Sequence, residues 1–436
     1  MSTLIGIVLV LGTMILVHEI GHFIAAKLFG VRVEVFSVGF PPRLWGIRRG
    51  GTDYRISAIP LGGYVKMSGD NISEERTGAP DEFLSKPRWQ RAIIAFAGPA
   101  VNLIMPLVLL GGYFIAVGVP YHSFEDRSVE VVAFAKNSRT AAEELKLGDR
   151  ITEINGLRNP TWGQALTLVS ELPPGSELRV VAEKDGARRS LTLPVTHSPE
   201  SDWPFGYWPI PPVIDRVEPG MPAYRAGLRQ NDVVTSVNGQ PVVSWSQFVD
   251  VIRHSDGKPV ALGIRRENQN VSLQVTPQRG VNERGEATYQ VGVLVKEDTA
   301  YRREGVSHSL DFALSATVNI TRQTLGVVEK LFTGKLSIRQ LQSVVGIAHE
   351  SGLAVKEGSF QVISLMALLS INLGILNLLP IPILDGGHIL LLAIEGSMRR
   401  DLSLAFKERF VQVGFVFLVV FLSIVMYFDV TRLAGR

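Results

Sequence analysis

TLIGIVLVLGTMILVHEIGHFIAA, Thr3–Ala26, decides the fold. It begins as an uninterrupted apolar helix and then carries His18, Glu19 and His22 where a membrane span should stay apolar. Histidines at i and i+4 lie one above the other on one helical face, about 6 Å apart at Cβ. That spacing lets both imidazoles reach one Zn²⁺, and Glu19 falls beside the first of them, placed to handle a proton of water. The bland alternative is a pair of core histidines with a chance glutamate between them. Ionisable groups inside an apolar span are expensive, however, and usually mark function.

Composition agrees with a membrane protein. The 436 residues are 46% hydrophobic and only 19% charged, mean hydropathy is +0.20, and the length suits about three or four units. A net charge of +3 gives no reason to expect a nucleic-acid partner. There is no cysteine, so a metal site must be built from His, Asp and Glu. The N-terminus lacks a basic leader and a small-residue cleavage site, and cleavage would discard the histidine pair, so the first span is expected to be retained.

Four stretches can cross a hydrocarbon core of ~30 Å: Thr3–Ala26, Ala92–Val119, Phe360–Leu384 and Phe410–Phe428. Basic residues crowd the connection between the first two, from Lys27 through Arg55 and Lys66 to Arg91, and recur at Arg399, Arg400, Lys407 and Arg409. Short basic loops stay cytoplasmic. Both termini and the 120–358 segment are therefore expected on the other face, which is periplasmic in a Gram-negative inner membrane. Within the first loop, Phe36–Trp45 reads as amphipathic and Tyr54–Met67 as a hairpin turning at Gly62-Gly63. Such a hairpin offers an edge for pairing with an extended peptide.

The large segment repeats itself. LKLGDRITEING (Leu145–Gly156) matches LRQNDVVTSVNG (Leu228–Gly239) at an offset of 83 residues that persists to Trp162 and Trp245. Each copy ends in an Asn-Gly hairpin signal, and a repeat this long is a small domain. AYRAGLRQNDVVTSVNG (Ala223–Gly239) resembles the PDZ domains of bacterial envelope proteases, which bind extended peptides or C-termini by strand addition. The first copy has Glu144 where the second has Gly227, which makes its groove the less certain of the two. Ser307–Gly358 reads as amphipathic helices leading back to the membrane, a pair suited to its surface.

SINLGILNLLPIPILDGGH (Ser370–His388) supplies the remaining ligand. Pro380 and Pro382 break the helix at membrane depth, which is tolerated only where protein or a polar cavity surrounds the backbone. Asp385 follows the break, and catalytic zinc takes three protein ligands plus water. His18, His22 and Asp385 make that count; His388 competes and ranks lower, as a hydrogen-bonding group behind the ligands.

HEIGH together with NLLPIPILDGG resembles the site-2 protease family of intramembrane zinc metalloproteases, and AGPAVN (Ala97–Asn102) with two PDZ-like copies is similar to its proteobacterial branch. The resemblance implies His18, His22 and Asp385 as zinc ligands, Glu19 as the catalytic carboxylate, and Asn372 and Asn377 as substrate-binding residues. It also implies that Tyr54–Met67 is a membrane-reentrant hairpin receiving unwound substrate. Implied substrates are anti-sigma factor remnants in envelope-stress signalling, with leftover signal peptides beside them. Ser343-Val344 stands where this branch often has Gly-Pro.

The expected fold is thus an α-helical polytopic membrane protein with four transmembrane helices, a membrane-associated β-hairpin and two tandem α/β PDZ-like domains. Its segments are 1–119 (two spans and the hairpin), 120–200 and 201–298 (the PDZ-like pair), 299–358 (amphipathic helices) and 359–436 (two spans). Two rivals are a membrane adaptor with a purely structural zinc and an anchored protease that cuts soluble segments.

Overall fold

The computed structural model describes residues 2–70, 77–134, 145–173, 175–195, 203–281, 287–296, 298–334 and 343–434. Two compact units emerge: residues 2–119 with Arg303–Ala434, and Pro120–Arg302.

The first unit opens with α1 (Ser2–Ile7), a π-helical turn over Val8–Gly12 and α2 (Thr13–Leu28), which together read as one rod. After it come β1 (Val33–Arg49), β2 (Thr52–Met67) and α3 (Arg88–Ala116). The hairpin corrects the sequence reading. Its turn lies at Gly50-Gly51, while Phe36–Trp45 is part of β1 and Gly62-Gly63 lies inside β2. The strands bend so far that Val35–Val38 stands opposite both Asp53–Ile56 and the Gly63–Lys66 stretch. Gly62 takes φ 157°, and a Cβ there would lie 2.6 Å from the Phe40 ring, so this glycine pair bends a strand instead of closing a turn.

The second unit carries the repeat. After β3 (Val119–His122) come β4 (Arg150–Ile154), β5 (Leu157–Arg158), α4 (Trp162–Glu171), β6 (Glu177–Lys184) and β7 (Ala187–Pro194). The next copy has β8 (Ile214–Val217), α5 (Pro222–Arg225), β9 (Val233–Val237), β10 (Gln240–Pro241), α6 (Trp245–Arg253), β11 (Val260–Arg266) and β12 (Gln269–Val275). Beyond them are β13 (Gln278–Val281), β14 (Ala287–Gln290), β15 (Val293–Val295), which pairs with β8, and β16 (Thr299–Arg302), which pairs with β3.

The sheet orders β5-β4-β6-β7 and β10-β9-β11-β12 are the same arrangement built twice. Alternation along β6 buries Leu178, Val180 and Ala182, and along β11 it buries Val260, Leu262 and Ile264. Asn155 and Asn238 take φ 47° and 50°, and each side chain accepts a backbone N–H across the sheet at 2.9 Å. Asp149 and Asp232 are fully buried and accept from the amides of Lys146 and Arg229. Each also pairs with an arginine, but Arg189 comes from β7 and Arg266 from β11. Glu144 lies outside the described residues.

The chain returns to the first unit with α7 (Val306–Phe332), α8 (Val344–Glu357), α9 (Ser359–Leu378), α10 (Asp385–Met398) and α11 (Leu404–Ala434). Among the described residues, four helices are long and apolar enough to cross a membrane: Ile5–Leu28, Arg88–Ala116, Ser359–Leu378 and Leu404–Thr431. The third ends at Leu378, not Leu384, because Pro380 and Pro382 force loop backbone, and Asp385 begins a new helix. Helix α7 packs against α3, with Phe312 edge-on to Phe114 at 5.3 Å and Ala313 fully buried. Ser343 is the N-cap of α8, and Asp429, buried in α11, accepts from its amide, its hydroxyl and the Gly346 amide at 2.5–2.9 Å. A serine thus fills the Gly-Pro position with a capping side chain.

Arg266→Ala leaves the Asp232 carboxylate buried with its arginine gone, and should cost about 3 kcal/mol in the second repeat. Denaturant unfolding of the full chain checks this: a midpoint unchanged from the parent would show that the pair contributes nothing.

Candidate metal centre

The site is assembled on α2. His18 and His22 face α3 from adjacent turns, with ring centroids 4.7 Å apart and Nε2 atoms 3.1 Å apart, both buried. They fit there because the two helices nearly touch. A Cβ on Gly21 would lie 2.5 Å from the Ala97 carbonyl oxygen, and one on Gly98 would lie 2.4 Å from His22 Nε2. Glycine is the residue that lets the α3 backbone pass this close to the imidazoles.

Asp385 arrives from far along the chain. It is the first residue of α10, where the helix N-terminus favours an anion. Its Oδ2 lies 3.2 Å from His18 Nε2 and its Oδ1 3.5 Å from His22 Nε2. The loop before it is tightly folded, with Ile383 at φ 80°, a costly conformation for a β-branched residue. A Cβ on Gly386 would lie 2.3 Å from the Leu379 carbonyl oxygen, which explains glycine directly after the aspartate.

These separations fit a tetrahedral zinc ion. Ligand bonds of 2.0–2.1 Å place neighbouring ligand atoms roughly 3.3 Å apart; here the two Nε2 atoms are 3.1 Å apart, and each has one Asp385 oxygen near it, Oδ2 at 3.2 Å from His18 and Oδ1 at 3.5 Å from His22. Among the described residues, this trio forms the one such cluster of His, Asp and Glu.

Tautomers decide whether the imidazoles can serve. His22 Nδ1 lies 2.8 Å from the Ile94 carbonyl oxygen, which only accepts, so the proton sits on Nδ1 and Nε2 keeps its lone pair. His18 Nδ1 lies 3.1 Å from the Asn102 amide nitrogen, while Asn102 Oδ1 is buried without a hydrogen-bond partner. Turned over about its last side-chain bond, the same amide accepts the Nδ1 proton of His18 and frees Nε2 for a metal. Asn102 is fully buried, and the Ser370 hydroxyl donates to its backbone carbonyl at 2.8 Å. Sequence reasoning quoted Asn102 inside a motif but gave it no part in the site; the signal was a buried amide on an apolar span.

The remaining candidates fall at different distances. Glu19 is half-buried beside His18, and its carboxylate is hydrogen-bonded by the Val65 backbone on β2. The Asn377 amide nitrogen reaches to 3.5 Å from His18 Nε2, the outer edge of a hydrogen bond. Asn372 sits higher on α9, where its Oδ1 accepts from Thr324 of α7 at 2.8 Å. His388, one turn beyond Asp385, is exposed and outside the cluster.

Gly98→Ala should weaken zinc affinity at least tenfold, because the new methyl group displaces His22. Asn102→Ala should weaken it about 10–100-fold, the range for losing a residue that orients a ligand. Competition against a chromogenic chelator reads both, and undiminished affinity in either variant contradicts the geometry.

The chain matches the model of peptidase family M50 over residues 6–421. It is 34% identical to the regulator of sigma-E protease RseP of Salmonella typhimurium, over 99% of this chain and 98% of that protein. It is 30% identical to a putative zinc metalloprotease of Vibrio cholerae, over 98% of both. Among solved structures, the PDZ domain of an SdrC-like protein from Listeria innocua is similar to 22% of this chain and 99% of its own, at 24% identity and a TM-score of 0.17. A histidine pair and a distant aspartate drawn together among apolar helices, within a match spanning nearly the whole sequence, make this chain a member of peptidase family M50, the site-2 type metalloproteases.

Proposed function

We propose that this chain cleaves the transmembrane segments of single-span membrane proteins within the bilayer, with His18, His22 and Asp385 holding Zn²⁺ and Glu19 moving the proton. One observation carries it: three ligand atoms mutually within 4.8 Å, on elements that include helices apolar enough to cross a membrane. When bound, zinc would lower the pKa of a coordinated water towards ~7 and polarise a carbonyl. Glu19 takes a proton from the water and returns it to the leaving amine, steadied by the Val65 backbone.

A helical substrate hides its peptide bonds and must be unwound first. The Gly63–Lys66 stretch of β2 pairs with β1 on one side and runs past Glu19, with the Gly63 Cβ position 3.5 Å from Glu19 Cγ. Pairing with that stretch replaces the backbone hydrogen bonds the substrate loses. Asn377 offers a donor and an acceptor to the exposed backbone, and Asn372 adds its amide nitrogen, its oxygen being taken by Thr324.

The segments are assigned as 1–119, 120–200, 201–298, 299–358 and 359–436. The two PDZ-like repeats face the periplasm with both termini, in the inner membrane, and bar proteins with bulky periplasmic domains. The name of the Salmonella relative, regulator of sigma-E protease, supports a trimmed anti-sigma factor as substrate.

Glu19→Gln should retain zinc and lose cleavage by about 10²–10⁴-fold, whereas Asp385→Asn should lose both metal and cleavage. Metal content and turnover of a single-span substrate in detergent, with and without chelator, check this. Wild-type turnover by Glu19→Gln would exclude the glutamate, and chelator-insensitive cleavage would exclude a catalytic metal.

A further inference from the structure

A cavity of about 760 Å³ lies where α3 begins and α10 ends, away from the metal ligands. Its lining carries Lys86, Arg88 and the buried Arg91, and its wall is apolar, with Leu392 on α10 and Trp89 on α3. Trp89 is 58% exposed while its ring packs edge-on against Phe29 at 5.4 Å. One end of the cavity is therefore cationic and the other apolar, at the end of a span, with an indole at the boundary as in membrane interfaces.

Asp401 is the one carboxylate among the lining residues, and it accepts from Arg88 at 2.8 Å. That hydrogen bond holds its carboxyl below the usual carboxylate range. Glu395, behind the wall, is buried and bonded to Lys407 at 2.5 Å and to the Leu402 amide at 3.0 Å, with Arg88 Nε 4.0 Å away. The Lys86 ammonium has no ion pair or hydrogen bond among the described residues. Gly396 adds room, since a Cβ there would meet nothing within 4 Å.

We infer that this cavity seats the glycerophosphate headgroup of an anionic phospholipid, with Lys86 at the phosphate and the acyl chains leaving along Leu392. A cation near an anionic lipid surface contributes about 1 kcal/mol, so Lys86 should make the site prefer phosphatidylglycerol over phosphatidylcholine roughly fivefold. Neither Lys86 nor Gly396 belongs to the zinc site, so variants there should keep metal content and cleavage.

The full-length protein in detergent is titrated with phosphatidylglycerol or phosphatidylcholine, and bound lipid is counted by native mass spectrometry. Lys86→Ala should weaken phosphatidylglycerol binding about fivefold, the worth of one such cation. Gly396→Leu, which fills the cavity without changing charge, should weaken it at least tenfold. Equal binding of the two lipids overturns the inference. So does wild-type phosphatidylglycerol binding in both variants, each with metal content at the parent level. Displacement of the lipid by millimolar inorganic phosphate would mark a free-phosphate site and also overturn it.

Discussion

Two imidazole lone pairs and a carboxylate aimed at one point repel one another unless a cation stands among them. In an apolar bundle no water screens that repulsion, and an unpaired charge is costly to bury. The trio at His18, His22 and Asp385 is thus both the reason for a metal and the constraint on the surrounding helices. Gly21 and Gly98 let α2 and α3 approach until the imidazoles fit between them. Gly386 lets the start of α10 fold against its own preceding loop. Small residues here do what large apolar ones do elsewhere in the bundle: they set the separation of elements.

Around this centre the polar groups form a shell that settles protonation. The Ile94 carbonyl orients His22, Asn102 orients His18, and the Ser370 hydroxyl bonds to the Asn102 backbone. The same economy recurs at Asp429, a carboxylate inside the last span that is satisfied by donors from the first turn of α8. These buried polar groups are bonded across elements, and such bonds specify which helices sit together.

Much of this was legible in the residue order. The four apolar stretches needed only length and hydropathy. The repeat offset placed β4 against β9, β5 against β10 and α4 against α6, because Asn-Gly turns and a buried Asp impose the same local geometry wherever they recur. The hairpin turn was misread because RGG at 49–51 and LGG at 61–63 carry equal local weight as turn signals. Which pair turns and which bends depends on Phe40 and on pairing across β1, both remote from the glycines in local sequence.

The sequence by itself determined a helix with two histidines one turn apart, a proline-broken carboxylate segment, four apolar stretches and a duplicated domain, since each is written in spacing or composition over a short window. Only the tertiary structure decided that Asn102 stands behind His18 and that β2 passes beside Glu19. These are contacts between residues tens of positions apart. They follow from how closely helix backbones approach and where buried hydrogen bonds close, and no window of sequence contains both partners.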